Sequence, residues 1–393
     1  MGIQGGDSYA SDRAEADGPA LSLRSEANRL GGAAALCRVT HTQDIEVGER
    51  LGDATAAAQL ARDAKIGDKI SGVHFDPSTQ RVERVEHRVI STQRRNFAGV
   101  DTKAIKVQSS YPDLGVNETV WLDNAGKVLE SQIGGFFVAR LEPPEVAKRL
   151  DYTQDLLISN VVRAPRVLIA PQNLTKLTLT FQGFGEVDPP TSPRQSIKRE
   201  GEQVRISLRK DPLPKRTTLS AARASLEKLS AAEIVESLQP TAFIQSDAPD
   251  LIKAAQEAVG DVQDVFAAST KLVNFVCKHI HSEYVPAYSN ALEAYQSARG
   301  DCTEHSVLYV ALARAIGIPS RVAVGIAYWP PGDGFGWHAW AESYIAGRWL
   351  AIDPTWNQPI ADATHVKLAD GGPREQARIV TLLGKLKITE MKN

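Results

Sequence analysis

One cysteine stands where a helix should begin, in the stretch Gly300–His305 (GDCTEH). Asp301 and Glu304 have the spacing of a capping box, in which two side chains satisfy the unpaired amides of a helix start. Cys302 would then lie in the first helical turn, where the positive end of the helix dipole favours a thiolate. The carboxylates of Asp301 and Glu304 oppose this effect unless capping engages them. The stretch therefore predicts a reactive thiol.

A thiol needs a base, and the base needs a partner that orients it. Residues Gly336–Glu342 (GWHAWAE) and Trp349–Thr355 (WLAIDPT) predict two strands, and Ala346–Arg348 is typical of the hairpin turn between them. Pairing across that turn would bring His338 and Asp353 close together. Cysteine, histidine and aspartate would then follow the chain order of a papain-like triad.

Behind the cysteine, apolar residues recur at helical spacing as far as Ala315. Gly317 fits the left-handed position just past a helix C-terminus, and Pro319 prevents the helix from continuing. The pattern predicts that the thiol opens a mostly buried helix.

Three motifs, in this order, resemble the core of the transglutaminase-like superfamily. They are GDCTEHSVLYVALARAIGIPSRVAVG, WHAWAESY and WLAIDPTW. The resemblance covers about residues 244–372 and implies Cys302 as nucleophile, His338 as base and Asp353 as orienting group, with no cofactor or metal. Asp362–Leu368 also resembles the segment that follows the aspartate in bacterial members.

The resemblance implies an α+β fold: a helical lobe, with the cysteine at a helix N-terminus, packed on an antiparallel sheet as in papain-like enzymes. The whole chain is predicted in four parts. Residues 1–18 are rich in small and polar residues and predict disorder. Turn signals at strand-length spacing predict one or more mainly β domains over 19–210. Residues 211–240 begin with DPLPK and predict a connector. Residues 241–393 are predicted to form the catalytic domain.

The superfamily that the motifs resemble includes cross-linking acyltransferases, peptidases, amidases and members that have lost catalysis. The triad predicts acyl transfer at an amide bond through a thioester. Water as acceptor gives a cysteine hydrolase of the peptidase or amidase type, which we favour because the sequence has no calcium loop of the EF-hand type. An amine acceptor gives a cross-linking transglutaminase. A binding protein that kept the fold is the non-catalytic alternative.

Aromatic residues predict a substrate groove next to the triad. Five of the six tryptophans lie between Trp329 and Trp356, and the stretch 329–337 (WPPGDGFGW) is typical of a loop. We predict that Trp329, Trp337 and Tyr284 contact the substrate. A tyrosine before the cysteine could also hold the oxyanion, although the backbone amide of Cys302 is the preferred donor.

His305 competes with His338 as the base, because residues three apart share one face of a helix. We prefer His305 as a hydrogen-bonded neighbour of the site. Cys302, His305, His338 and Asp353 could also ligate zinc, but their spacing matches no usual structural zinc motif.

Composition limits the partners. The 393 residues carry a formal net charge of -2, so nothing favours nucleic acid or an anionic membrane. A run of about 18 apolar residues, as a membrane span requires, does not occur. The expected partner is a protein or peptide substrate. The N-terminus has no signal peptide, which leaves two locations: exported, with the signal removed, or cytoplasmic.

Overall fold

The computed structural model divides into two compact units, Met1–Lys148 and Arg149–Asn393. The residues that it describes are 15–16, 20–24, 42–46, 65–76, 81–97, 99–112, 116–133, 137–143, 146, 161–219, 221, 229–283, 290–371 and 378–393. Most of the predicted disordered segment, residues 1–18, lies outside them. No helix in these ranges is long and apolar enough to cross a membrane.

The first unit contains two antiparallel sheets, each with its strands in chain order. The strands are β1 (Glu15–Ala16), β2 (Ala20–Arg24) and β3 (Thr42–Glu46) in the smaller sheet, and β4 (Lys69–Asp76), β5 (Arg81–Phe97), β6 (Val100–Tyr111), β7 (Val116–Leu122), β8 (Val128–Ile133) and β9 (Phe137–Arg140) in the larger. Alternation buries Val89, Val107 and Val120 on one face of the larger sheet. The predicted β character of this region is confirmed.

The second unit combines helices with antiparallel sheets. Its helices are α1 (Ala231–Leu238), α2 (Pro249–Val259), α3 (Val265–His279), α4 (Ala291–Ser297) and α5 (Cys302–Ala315). Its strands are β10 (Val162–Arg163), β11 (Lys176–Gln182), β12 (Gln195–Glu200), β13 (Gln203–Arg209), β14 (His281–Ser282), β15 (Arg299–Gly300), β16 (Ser320–Trp329), β17 (Gly334–Ile345), β18 (Arg348–Ile352), β19 (Val366–Asp370) and β20 (Lys387–Lys392). The predicted α+β class is confirmed.

The central sheet runs β10-β17-β16-β19, and β18 also pairs with β17. The hairpin of β17 and β18 turns at Ala346 and Gly347, whose φ angles of 52° and 81° are left-handed. A tight hairpin turn requires such angles. The predicted hairpin is therefore confirmed.

Helix α5 packs against one face of this sheet. Leu308, Val324 and Ala339 belong to its core together with residues of α2 and α3. The Tyr309 hydroxyl joins three elements, because it is hydrogen-bonded to Ser269 of α3 at 2.8 Å and Ser343 of β17 at 2.9 Å. The helix that opens with the cysteine is thus fixed on two sides.

Both ends of α5 follow the sequence prediction. The Thr303 amide donates to Asp301 at 2.8 Å and the Asp301 amide donates to Glu304 at 2.9 Å, which completes the capping box. At the other end Gly317 has φ 83°, its amide donates to the carbonyl of Arg314, and the next amide donates to that of Ala313. These bonds form a Schellman motif.

A second antiparallel sheet, β12-β13-β11-β20, shares a core with the central sheet. Phe181 and Ile206 from this sheet belong to the same buried cluster as Tyr328 and Phe335. Residues on both sides of the predicted connector, 211–240, therefore pack together in Arg149–Asn393. The predicted boundary between 19–210 and 241–393 stays a prediction, for which a test is given below.

Candidate active site

Cys302 is the first residue of α5, and its thiol meets the middle of strand β17. The backbone amide of Ala339 donates a hydrogen bond to the sulfur. The same edge of β17 pairs with β10 at residues 334–335 and with β18 at residues 341–345, so Ala339 lies between the two pairings. The helix therefore brings the thiol to the residue next to His338.

The thiol is buried and 8% exposed. Burial raises the pKa of Cys302 well above the usual range, and the Asp301 carboxylate raises it further, whereas the Ala339 amide lowers it. The helix dipole was expected to favour a thiolate here. Loss of hydration outweighs that effect, because a buried charge is costly.

His338 and Asp353 are hydrogen-bonded, with 3.0 Å between Nε2 and Oδ2. Both side chains are buried. Asp353 directly follows β18, and its backbone exchanges hydrogen bonds of 2.9 and 2.8 Å with Gln358, which closes a short turn. Because Asp353 engages Nε2, Nδ1 is the ring nitrogen of His338 that remains for a proton from a thiol.

Trp356, on this turn, lies against the imidazole of His338. The ring centroids are 4.2 Å apart and the planes differ by 10°. The Trp356 amide also donates to Asp353 Oδ1 at 3.2 Å, beside the Thr355 amide at 2.8 Å. One turn therefore fixes both the carboxylate and the plane of the histidine ring.

A second histidine, His365, shares the carboxylate. Its Nε2 lies 3.0 Å from Asp353 Oδ2, and its Nδ1 lies 3.2 Å from Asp362 Oδ1. The ring is buried, like Asp353 and Asp362. His365 was named above only as part of a segment that resembles the family, and no role was predicted for it.

The charges of this cluster support one another. Burial alone would raise the pKa of Asp353, but the electrostatic interaction with His338 and the hydrogen bonds from His338 and His365 hold that pKa well below its usual range. The same two effects act on Asp362. Burial would raise its pKa, but the hydrogen bond and the charge interaction with His365 lower it below the usual range. Burial lowers the pKa of His365, but the hydrogen bonds to both carboxylates raise it to about 9.

His305 lies on the same helix as the thiol. Its Nδ1 is 2.6 Å from the carbonyl oxygen of Asp301, while its buried Nε2 has no hydrogen-bond partner among the described residues. Burial lowers the pKa of His305. The hydrogen bond to the helix start agrees with the preferred interpretation of His305 as a neighbour of the site.

The prediction of a nine-residue loop at 329–337 is wrong. Strands β16 and β17 pair as far as Trp329 and Gly334, so only a short 3-10 turn, Pro330–Gly332, joins them. Trp337 lies within β17, 6% exposed, in the core between the two sheets. Alternation places it on the opposite face of the strand from His338. Trp329 is half-buried beside the turn.

The substrate-binding roles predicted for Trp329, Trp337 and Tyr284 remain predictions. Trp337 offers little surface for such a role, because a residue committed to a core has no free face. Tyr284, and with it Tyr288, lies outside the described residues.

Glu342 is a buried acidic residue of β17, 3% exposed. Its carboxylate lies 2.9 Å from Lys367 and 2.8 Å from Arg321. Both cations come from neighbouring strands, so Glu342 ties β17 to β16 and β19. The alternation of His338, Trp340 and Glu342 puts this ionic group on the same sheet face as the histidine.

Three atoms in the site could ligate a metal. One ligand atom from each of His338, Asp353 and His365 lies within 4.8 Å of the other two. Each of these atoms already takes part in a hydrogen bond, because Asp353 Oδ2 lies 3.0 Å from Nε2 of His338 and 3.0 Å from Nε2 of His365. The geometry is that of a hydrogen-bonded cluster.

Residues 252–354 match the family model of the transglutaminase-like superfamily. The match includes Cys302, His338 and Asp353, in the order and elements described above. This stretch is similar to the transglutaminase-like core. Trp356 and His365 lie just beyond it and complete the surroundings of the histidine.

Parts of this chain are similar to curated proteins and to solved structures. Mouse kyphoscoliosis peptidase is 25% identical over 218 residues, which cover 50% of this chain and 30% of that protein. A structure described as a candidate cysteine protease, from Cytophaga hutchinsonii, has 20% identity and a TM-score of 0.37, and covers 56% of this chain and 85% of its own. The periplasmic domain of TgpA from Pseudomonas aeruginosa has 13% identity and a TM-score of 0.29, with coverages of 78% and 95%.

Proposed function

We propose that this protein breaks amide bonds through a thioester on Cys302, with His338 as base and acid and Asp353 as the group that orients His338. Water is the acceptor, and the substrate is a protein or peptide. One observation carries the proposal: Cys302 opens a helix that packs on the strand carrying His338, and the His338 imidazole is hydrogen-bonded to the buried Asp353.

In the first half of the reaction, the thiol proton moves to Nδ1 of His338 as the sulfur attacks the carbonyl carbon. The backbone amide of Cys302, at the start of α5, stabilises the negative charge on the carbonyl oxygen. The carbon–nitrogen bond then breaks, His338 gives its proton to the leaving amine, and the acyl group remains as a thioester.

In the second half, His338 takes a proton from water as the water oxygen attacks the thioester carbon. The carbon–sulfur bond breaks, the carboxylic acid leaves, and the proton returns to the sulfur. Asp353 stabilises His338 while that ring is protonated. The turn that carries Trp356 keeps the ring in the plane from which both transfers start.

Peptide-library turnover of wild type and Cys302→Ala tests this function. We expect hydrolysis by the wild type and its loss in the variant, because Cys302 is the thiol that opens α5 against the strand that carries His338. Cys277→Ser is the matched control, since Cys277 is half-buried beside the carbonyl of Thr355 and should be dispensable. Turnover that survives in Cys302→Ala would refute the assignment.

Substitution of His338 or Asp353 should lower turnover as much as, or less than, substitution of Cys302. His338→Ala should cost as much as Cys302→Ala, because nucleophile and base act as a unit. Asp353→Asn should cost less, since the base is still present although poorly oriented. If His305→Ala proves as damaging as His338→Ala in a folded protein, the base has been misidentified.

An added primary amine separates hydrolysis from cross-linking. A product that contains the amine would identify a transglutaminase. Absence of both products, with a folded wild type, would favour the binding protein that kept the fold. Turnover decides here, not thiol reactivity, because a buried neutral thiol reacts slowly in either case. Activity that is lost with a chelator would point to a metal-dependent hydrolase instead.

A further inference from the structure

We propose that His365 is a buried imidazolium that shares the negative charge of Asp353 with His338, and so keeps the Cys302–His338 pair uncharged at rest. His365 acts as a positioning residue and touches no reacting atom. The effect on Cys302 rests on the proposed function, whereas the charge of His365 does not.

Asp353 is surrounded by donors. Its Oδ1 accepts from the backbone amides of Thr355 and Trp356, and its Oδ2 lies 3.0 Å from a ring nitrogen of His338 and of His365. Backbone amides can only donate, so Oδ1 carries no proton. A proton shared at Oδ2 stays on an imidazole, because imidazole is the stronger base. Asp353 is therefore ionised.

Asp362 is ionised for the same reason. Its Oδ1 accepts from the amide of Thr364 at 2.8 Å and from the Thr364 hydroxyl at 2.6 Å, and it faces His365 Nδ1. Its Oδ2 accepts from the side-chain amide of Gln358 at 2.9 Å. An acid proton on Asp362 would displace one of these donors.

His365 thus has an ionised carboxylate at each ring nitrogen. A neutral imidazole has a single N–H and would turn a lone pair toward one carboxylate, without water to separate them. A buried polar contact of that kind is costly. An imidazolium donates to both carboxylates, and this is the state that fits the geometry.

The charge of His365 reaches His338. The ring centroids are 5.7 Å apart, and both rings use the same oxygen of Asp353. A cation at that distance opposes a second cation at His338 and offsets the attraction of Asp353.

Other titratable groups also surround these two rings. Asp301, Cys302 and His305 face the site from the start of α5, and the thiol of Cys277 on α3 also interacts with Asp353. Near Asp362, Arg194 donates to the backbone carbonyl of that residue at 2.6 Å and is paired with Asp211. None of these groups lies between the two histidine rings and the shared Asp353 oxygen, so His365 remains the cation that competes directly with His338.

The charge of His365 can be observed by NMR of the full chain with ¹⁵N-labelled histidine. We expect both ring nitrogens of His365 to carry protons at pH 7, with its signals assigned from their loss in His365→Gln or in His365→Gln/Asp362→Asn. A His365 ring with one unprotonated nitrogen at pH 7 would overturn the proposal.

The resting state of the thiol can be read from iodoacetamide labelling of Cys302, followed by peptide mass spectrometry that separates it from Cys37 and Cys277. In the wild type the labelling rate should fall steadily from pH 9 to pH 6. A fast plateau in this range, typical of a thiolate–imidazolium pair, would contradict the proposal.

Loss of the His365 charge should favour the ion pair of a Cys302 thiolate and a His338 imidazolium. In folded His365→Gln, labelling of Cys302 at pH 7 should be about tenfold faster. Removal of one charge at this distance shifts the equilibrium between the neutral Cys302–His338 pair and the thiolate–imidazolium pair by about one pKa unit or more. The double variant, which leaves no unpaired Asp362, should show a smaller increase. His279→Gln, which removes a half-buried histidine away from the site, is the control.

Equal labelling rates in the wild type and in the folded variants would mean that His365 is only a structural support. Failure of the proposed function appears differently, as peptide turnover that does not depend on Cys302. The NMR result on the wild type stands in both cases.

Discussion

The indole of Trp356 covers one face of the His338 ring, 4.2 Å between centroids and 10° from parallel. The contact restricts rotation of an imidazole that, in the proposed mechanism, keeps one nitrogen on Asp353 and offers the other to Cys302. A residue outside the predicted triad therefore restricts the orientation of the proposed base.

Trp356→Ala should lower kcat/KM about three- to tenfold, since a stacked aromatic pair contributes about 0.5–1.5 kcal/mol. Trp356→Phe should recover most of the loss. Trp349→Ala is the control, because Trp349 is also half-buried and packs on Tyr344 but lies away from His338. Steady-state kinetics on one peptide substrate measures all three. A Trp349→Ala effect as large as that of Trp356→Ala would contradict the orienting role.

The pH dependence of stability should report the buried His365. Its pKa is raised to about 9 in the fold, from an ordinary 6.5, so its contribution is fully present below pH 6.5 and is lost as the pH rises through about 9. The free energy of unfolding should fall by about 2 kcal/mol between pH 6.5 and pH 8.5. The lowered pKa values of Asp353 and Asp362 act only near and below pH 4.

Urea unfolding at both pH values measures this change. The double variant His365→Gln/Asp362→Asn lacks the titrating pair, so its stability should vary much less across the same range. The same slope in wild type and variant would assign the pH dependence to other groups.

Trp337→Ala should act on stability before it acts on substrate binding. The side chain is buried between two sheets, and truncation of a large core aromatic costs about 3–5 kcal/mol. We expect a lower melting temperature and a parallel loss of turnover. A selective loss of kcat/KM in a variant of unchanged stability would restore the predicted role in a substrate groove.

The domain boundary can be tested with two fragments, 149–393 and 241–393. We expect the longer one to unfold cooperatively and the shorter one to fail, because it lacks β11 to β13 and exposes Tyr328 and Phe335. Thermal unfolding followed by circular dichroism distinguishes them. Cooperative unfolding of 241–393 at the same temperature would support the predicted separate catalytic domain.

The parts of the site that the sequence could predict depend on contacts that are close in the chain. The capping box around Cys302 spans the four residues from Asp301 to Glu304, and the turn that brings Asp353 to His338 is a hairpin of adjacent strands. Helix caps and hairpins have residue signatures that act locally. The Schellman glycine, Gly317, belongs to the same class.

The parts that were missed depend on a third strand. Lys367 reaches Glu342 from β19, and His365 reaches Asp353 from the residue that precedes this strand. Local spacing in the sequence does not determine the order of strands in a sheet, so neither contact could be predicted. The loop prediction for 329–337 was wrong for a related reason. Its glycines and prolines suggest a loop, but pairing with β16 includes Gly334 and Gly336 and leaves the prolines in a short turn.

Strand β20 fills the edge of β11 opposite β13, and Thr180 meets Glu390 across 210 residues of chain. During synthesis β11 therefore emerges from the ribosome long before its partner exists. At 5–20 residues per second the nascent chain carries this strand with one edge unpaired for about 10–40 s. An open edge is a template for pairing with other chains, so a holding chaperone has a defined interval in which to act.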